Sequence, residues 1–344
     1  MQSQVNTIQH YVSQAVLKRF RRGSTRLQCY QVQTGLWRQK SVRDACSAKG
    51  YNQIIVGDQS DHTIENDLMK IESKLPTTLA FLDSLPLNQR SVIPQDILAN
   101  LRDYCSFLKL ISPVEKPGAI VALMAEINMG LDKQNYNLLR ELHVTEEAIQ
   151  KLREYYLQGG RVVIEAKNLM QQLFRFQFPR LLPFTRNIFQ QAKWFLASSP
   201  IDIPLSDVGI VPMHLTDLNA NHFILPIAPR LVLEAIFYLD QKKNKSSGIL
   251  DRVEYTVEEA EYRLECICGS ALTEIICSQR IDGIADYIKR AFENNVRFHK
   301  IMRPELAFQS GQEEADPNFA LKVLSTPEYI QFMHEHIQPP MPLV

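Results

Sequence analysis

The chain has 344 residues, 38 Lys and Arg against 38 Asp and Glu, and 45% hydrophobic residues, with no apolar run approaching the ~18 residues of a membrane helix. This reads as an ordinary soluble globular protein, long enough for a large core built as two lobes sharing an interface, and it excludes a membrane span. The cations at 18–22 follow a broken apolar run and no small-residue cleavage site comes after them, so the expected compartment is the cytoplasm.

An opening helix is expected from about Ser13 to Arg21, followed by the alternating stretch TRLQCYQVQTGLWRQKSV, a hairpin turning at Thr34-Gly35. Ser41 would cap a short helix, VRDACSAKG, ended by Gly50, and YNQIIVG reads as a third strand. Ile64, Leu68, Ile71, Leu75, Leu79 and Leu82 form one helical stripe that Pro76 should kink or split. PQDILANLRDYCSFLKLIS is a second amphipathic helix between Pro94 and Pro113, and AIVALMAEINMGL is apolar enough to be buried. TEEAIQKLREYYLQGG has Thr145 as its N-cap and acids in its first turn, and IEAKNLMQQLFRF continues the helical layer.

Strand signals return in NIFQQAKWFLAS and NHFILPIAPRLVLEAI; QKKNKSSG is a solvated loop. TVEEAEYRLECICGSALTEIICS reads as one long helix and DGIADYIKRAFENNVRF as another, before a proline-rich tail with a short helix after Thr326. The expected fold is therefore α+β and helix-rich: a small antiparallel N-terminal sheet packed on a helical layer, with further strands near 188–235. Its expected divisions are a basic module at 1–60, a body at 61–300 and a loosely ordered tail at 301–344.

Charge is uneven along the chain. Residues 1–50 carry nine Lys and Arg against the single acid Asp44, whereas 51–100 carry seven acids and three bases. Lys18, Arg19, Arg21, Arg22 and Arg26 could follow a phosphate backbone, or mark a contact between lobes or a solvated face. The six cysteines read as buried reduced thiols, and Cys266-x-Cys268 is too tight for a zinc knuckle.

Glu65 and Glu72 lie seven apart, within about 20° on one helix, with Asp61 a turn earlier. Such a pair with an imidazole suits Mg²⁺ or Mn²⁺, or general acid–base work; the plain alternative is salt bridges to neighbouring cations. His10, just before the first helix, can be a cap, a core histidine or a site residue. His62, His143 and His299 read as surface residues, and His334-x-His336 diverges on a helix. The turn Ser198, Ser199, Pro200 and Asp202 at a strand end is a candidate binding loop. GxSxG, Walker A, GxGxxG and HExxH motifs are all absent, which argues against hydrolase-fold esterases, P-loop NTPases, nucleotide-dependent dehydrogenases and zincins.

Five segments together resemble the domain-of-unknown-function family 4238, found mostly in bacteria, over about residues 5–290. HYVSQAVLKRF keeps His10, Tyr11, Val12, Leu17 and Phe20 of its opening, and ENDLMKIE supplies Glu65, Leu68 and Glu72. LKLISP, LASSP and PIAPR, ending at Arg230, are similar to its later motifs. Ser13 stands in place of a proline, Ala197 and Ser199 in place of Thr and Asp, and Lys109 near the family's Arg. The resemblance bears on the fold far more than on function, but it sets the site reading of His10 level with the cap reading.

Three functions fit these residues. The first is a metal-assisted nuclease-like or nucleic-acid-binding protein of bacterial defence or mobile-element context, with His10 as base or ligand and Glu65 and Glu72 holding the metal. The second is a non-catalytic module, in which the His/Glu cluster is structural and a partner protein meets the basic face. The third is a hydrolase or transferase acting on a small ligand.

Overall fold

A computed structural model describes residues 8–23, 25–49, 54–56, 59–61, 63–112, 126–141, 144–158, 167–215, 220–238 and 248–294. The chain divides into two compact units, 1–115 with 178–296, and 116–177 with 297–344. The tail expected at 301–344, the loop at 241–247 and His62, His143, His299, His334 and His336 lie outside the described residues.

The first unit opens with strand β1 (Ile8–His10) and helix α1 (Gln14–Arg19). Ser13 caps α1 by accepting a hydrogen bond from the Ala15 amide at 3.2 Å, satisfying one of the donors a helix start leaves open. The hairpin forms from β2 (Arg26–Gln31) and β3 (Leu36–Ser41), antiparallel with Tyr30 opposite Trp37. Gly35 closes its turn at φ +68°, donating to the Gln31 carbonyl at 2.9 Å.

The short helix expected after Ser41 is not there. Residues 42–46 make a turn, and β4 (Ser47–Lys49) pairs antiparallel with β1. Two things overrule the helical reading: Cys46 sits at φ +47°, which no helix continues, and its amide donates at 2.8 Å to the buried carboxylate of Glu274, 228 residues away.

A small pair, β5 (Ile54–Val56) and β6 (Gln59–Asp61), precedes α2 (Thr63–Glu72) and α3 (Leu75–Ser84). The apolar stripe is divided where expected, with Pro76 in the first turn of α3. After β7 (Arg90–Val92), α4 (Gln95–Ile111) buries its stripe, including Leu101, Tyr104 and Leu108. Asn100 on α4 fastens these helices, donating to the Ile71 carbonyl at 2.9 Å and accepting from the Thr78 hydroxyl at 2.8 Å.

In the second unit residues 126–132 are helical, followed by α5 (Asn137–Glu141) and α6 (Glu146–Leu157). Thr145 caps α6 by accepting from the Ala148 amide at 3.3 Å, as its sequence demands. Ile127, Leu131, Leu138, Leu139 and Ile149 are buried.

Helix α7 (Lys167–Gln191) takes in the start of the NIFQQAKWFLAS segment, so only β8 (Lys193–Ser198) of it is strand. There follow β9 (Leu205–Ser206), β10 (Val211–Leu215), β11 (Ala220–Ala228), β12 (Leu231–Tyr238) and β13 (Ile249–Glu254). Then come α8 (Val257–Ser270), β14 (Glu274–Cys277) and α9 (Ile284–Asn294). The single long helix expected over 256–278 is thus a helix and a strand: its second half is needed by the sheet, where Ile275 and Ile276 are fully buried.

Six strands form a mixed sheet in the order β10-β11-β12-β8-β13-β7, antiparallel except for β13 against β8. Four form an antiparallel sheet in the order β3-β2-β14-β9. Helix α8 fills the core shared by both: Ala260, Leu264, Ile267 and Cys268 meet Ala197, Ile224 and Val232 of the larger sheet and Tyr30, Ile275 and Cys277 of the smaller. The class is α+β, with helix the larger part, as the sequence led us to expect.

Candidate active site

Strand β1, the cap of α1 and the two ends of α2 place His10, Ser13, Glu65 and Glu72 in one electrostatic neighbourhood, joined by Tyr104 from α4. His10 ends β1, half-buried. Its Nε2 lies 3.2 Å from the Val42 carbonyl and its Nδ1 3.5 Å from the Gln14 amide nitrogen, which fits the neutral tautomer carrying its proton on Nε2. Burial holds its pKa below 6.5, overcoming the opposing pull of the Val42 and Arg43 carbonyls and of the charges on Glu65 and Asp44.

Glu72 closes α2 with its side chain mostly removed from water. Desolvation lifts its pKa from 4.5 to about 7, with the Glu65 charge adding to the rise and a hydrogen bond from Ser13 opposing it. The charge of Glu65 acts on both Glu72 and His10, raising the pKa of each. Ser13 and Tyr104 were not foreseen. Tyr104 is 1% exposed and its hydroxyl makes no hydrogen bond of good geometry, although Ser13 and Glu72 are beside it. Among the described residues no group of three or more His, Cys, Asp or Glu is arranged to hold a metal ion.

The turn after β8 uses its polar atoms internally. The Ser199 hydroxyl donates to the Ile201 carbonyl at 2.6 Å, the Ser199 amide donates to Arg230 O at 3.1 Å, and Ser198 accepts from the Tyr255 amide at 2.9 Å. Pro200 is exposed, and Asp202 accepts from Arg230 and from Ser278, both at 2.8 Å. Of the cations, Arg19 is clamped in two hydrogen bonds by Asp83 at 2.7 and 3.0 Å, and Arg22 donates to Gln279. Lys18, Arg21, Arg22 and Arg26 are exposed, on α1, just beyond it and at the start of β2.

Three further buried carboxylates are structural. Glu234 on β12 accepts from the Tyr255 hydroxyl, from Arg263 at 3.1 Å and lies 3.2 Å from His222, pinning α8 to the sheet. Burial alone would raise its pKa, but the bond and charge of His222, then Arg263 and Tyr255, outweigh it and bring it down to about 2. Asp207 accepts from the Leu272, Thr273 and Glu274 amides at 2.8, 2.7 and 3.3 Å, and Glu274 is met by Lys40 and the Cys46 amide. A carboxylate held by three or more donors fastens elements together; Glu72, about half protonated at neutral pH, is suited to passing a proton. All six cysteines are free and buried, and burial raises their pKa values, so the thiols are unreactive.

Compared with known families, residues 8–294 match the model of a family described as a protein of unknown function, DUF4238. The chain belongs to that family. No curated protein and no solved structure gave a match. Among the described residues no helix is long and apolar enough to cross a membrane.

Proposed function

We propose that the chain is a cytoplasmic phosphodiester hydrolase acting on nucleic acid, with His10 as base and Glu72 as acid. The carrying observation is the half-buried Glu72 carboxyl, held near pKa 7 by desolvation with the Glu65 charge adding to the rise, in the electrostatic neighbourhood of a neutral His10. His10 Nδ1 takes a proton from the attacking water as the new P–O bond forms, and Glu72 gives one to the leaving oxygen as the old bond breaks. Lys18, Arg21, Arg22 and Arg26 are exposed cations suited to the backbone phosphates. Six free thiols fit a reducing compartment. A Mg²⁺ or Mn²⁺ ion used here would rest on Glu65 and Glu72 and complete its shell with water and substrate phosphate. Such an ion would ionise Glu72, so the acid role given to Glu72 here belongs to the reaction without a metal on that residue.

The test is digestion of single- and double-stranded DNA and RNA between pH 5 and 9, with and without Mg²⁺ or Mn²⁺. Loss of about 100-fold or more in His10→Ala and Glu72→Gln without a fall in melting temperature supports the reading. Variants as active as the wild type, or no cleavage under any condition, contradict it.

A second reading, a non-catalytic module, has its own support. Ser13 both caps α1 and donates to Glu72, and His10 bonds Val42, so the cluster also fastens the N-terminal segment. The basic face would then meet a partner protein. A large fall in melting temperature for both variants without any activity to lose favours this reading.

A further inference from the structure

Arg22, just past α1, is held by a partner that carries no charge: its guanidinium donates at 2.5 Å to the Gln279 side-chain carbonyl, in the loop that follows β14. Arg19 is instead matched by the Asp83 carboxylate in two hydrogen bonds, which cancels its charge in place. A neutral partner fixes a guanidinium and leaves its charge and its other N–H donors for an anion.

The sheet brings Gln279 to this point. β14 runs antiparallel to β2 and ends with Cys277 opposite Gln28, so the chain leaves the sheet towards the end of β2 where Arg26 stands. Ser278 then donates to Asp202 at 2.8 Å and Ile281 packs on the core, with Gln279 and Arg280 exposed between these two anchors. Gly283 turns the chain into α9 at φ +72°. Asp202 is engaged on both oxygens, since it also accepts from Arg230 at 2.8 Å. Asp282 is the exposed acid of the loop, and Arg22, Arg26 and Arg280 outnumber it.

We propose that this loop completes a phosphate site for the backbone of a nucleic acid. Gln279 is a positioning residue that holds Arg22 with its charge uncompensated, and Arg280 adds a cation from the far end of the chain to the face of Lys18, Arg21, Arg22 and Arg26. The proposal rests on the reading of the substrate as nucleic acid, and uses neither His10 nor Glu72.

The experiment is fluorescence anisotropy of the full chain with labelled single-stranded RNA, single-stranded DNA and duplex DNA, in EDTA, at about 50 to 300 mM salt; each phosphate contact contributes about 0.7 to 0.9 to the slope of log affinity against log salt. Gln279→Glu gives Arg22 a carboxylate partner, and Arg280→Ala removes a cation. Both positions are exposed, so neither change disturbs the core. Each should weaken binding about 3- to 10-fold at the lower salt and reduce the slope by about one, and Arg280→Lys should keep both near the wild-type values. A loop that is only structural moves the melting temperature and leaves the slope alone. Either Gln279→Glu or Arg280→Ala binding with wild-type affinity and slope overturns the proposal and leaves the nucleic-acid reading standing. A wild type that binds none of the three overturns both. Poly-glutamate bound as tightly as RNA overturns the proposal in favour of an acidic protein partner. Binding as expected without cleavage sinks the hydrolase step and leaves the phosphate site in place.

Discussion

Ser13 shows how one residue can serve two elements. Its hydroxyl accepts from Ala15 to start α1 while donating to Glu72. Glu72 has a folded pKa near 7 against 4.5, so folding favours its neutral form: that stability is complete below about 4.5 and is lost as pH rises through about 7. Glu72→Gln, always neutral, should therefore match the wild type at pH 4.5 and exceed it at pH 8.5, by up to about 3 kcal/mol at about 1.4 kcal/mol per unit. Thermal melts at the two pH values check this. Ser13→Ala should raise the Glu72 midpoint and cost about 1 kcal/mol of capping. The Glu65–Glu72 pair was legible because a seven-residue spacing fixes proximity on any helix. His10 was legible only through family resemblance, since the β1–β4 pairing that seats it has no local signal, and Tyr104 reads as an ordinary core aromatic 32 residues from Glu72.

The docking of α8 is decided by a charge inside an apolar strand. LVLEAIFY puts Glu234 on the face that α8 covers, where Arg263, Tyr255 and His222 surround it. Its depressed pKa gives the opposite sign from Glu72: the stability it contributes is present above about 4.5 and lost as pH falls towards about 2. Glu234→Gln leaves Arg263 buried without its counter-charge and is expected to cost about 3–5 kcal/mol, read as a shift of the urea midpoint at pH 7. The acid in that apolar run, like Glu274 in EIIC, was a visible sign of a buried polar anchor. The helices were read well because their apolar period and caps are local; β4 and β14 were missed because Cys46 and the segment after Ala271 answer to partners far along the chain.

Across the molecule, the N-terminal hairpin is completed from the far end. β14 pairs with β2 with Glu274 opposite Gln31, and Glu274 also holds Lys40 and the Cys46 amide. Residues 1–115 and 178–296 accordingly form one unit. Residues 1–60 made alone lack that edge and anchor, and amide exchange should find them unprotected, while the full chain protects β2. The whole account turns on the protonation state of Glu72, and the most direct measurement is the carboxyl titration of that residue, assigned by its disappearance in Glu72→Gln. A midpoint near pH 7 is the result expected. A midpoint in the ordinary carboxylate range, near 4.5, would mean an ionised, solvated side chain and no acid at this site.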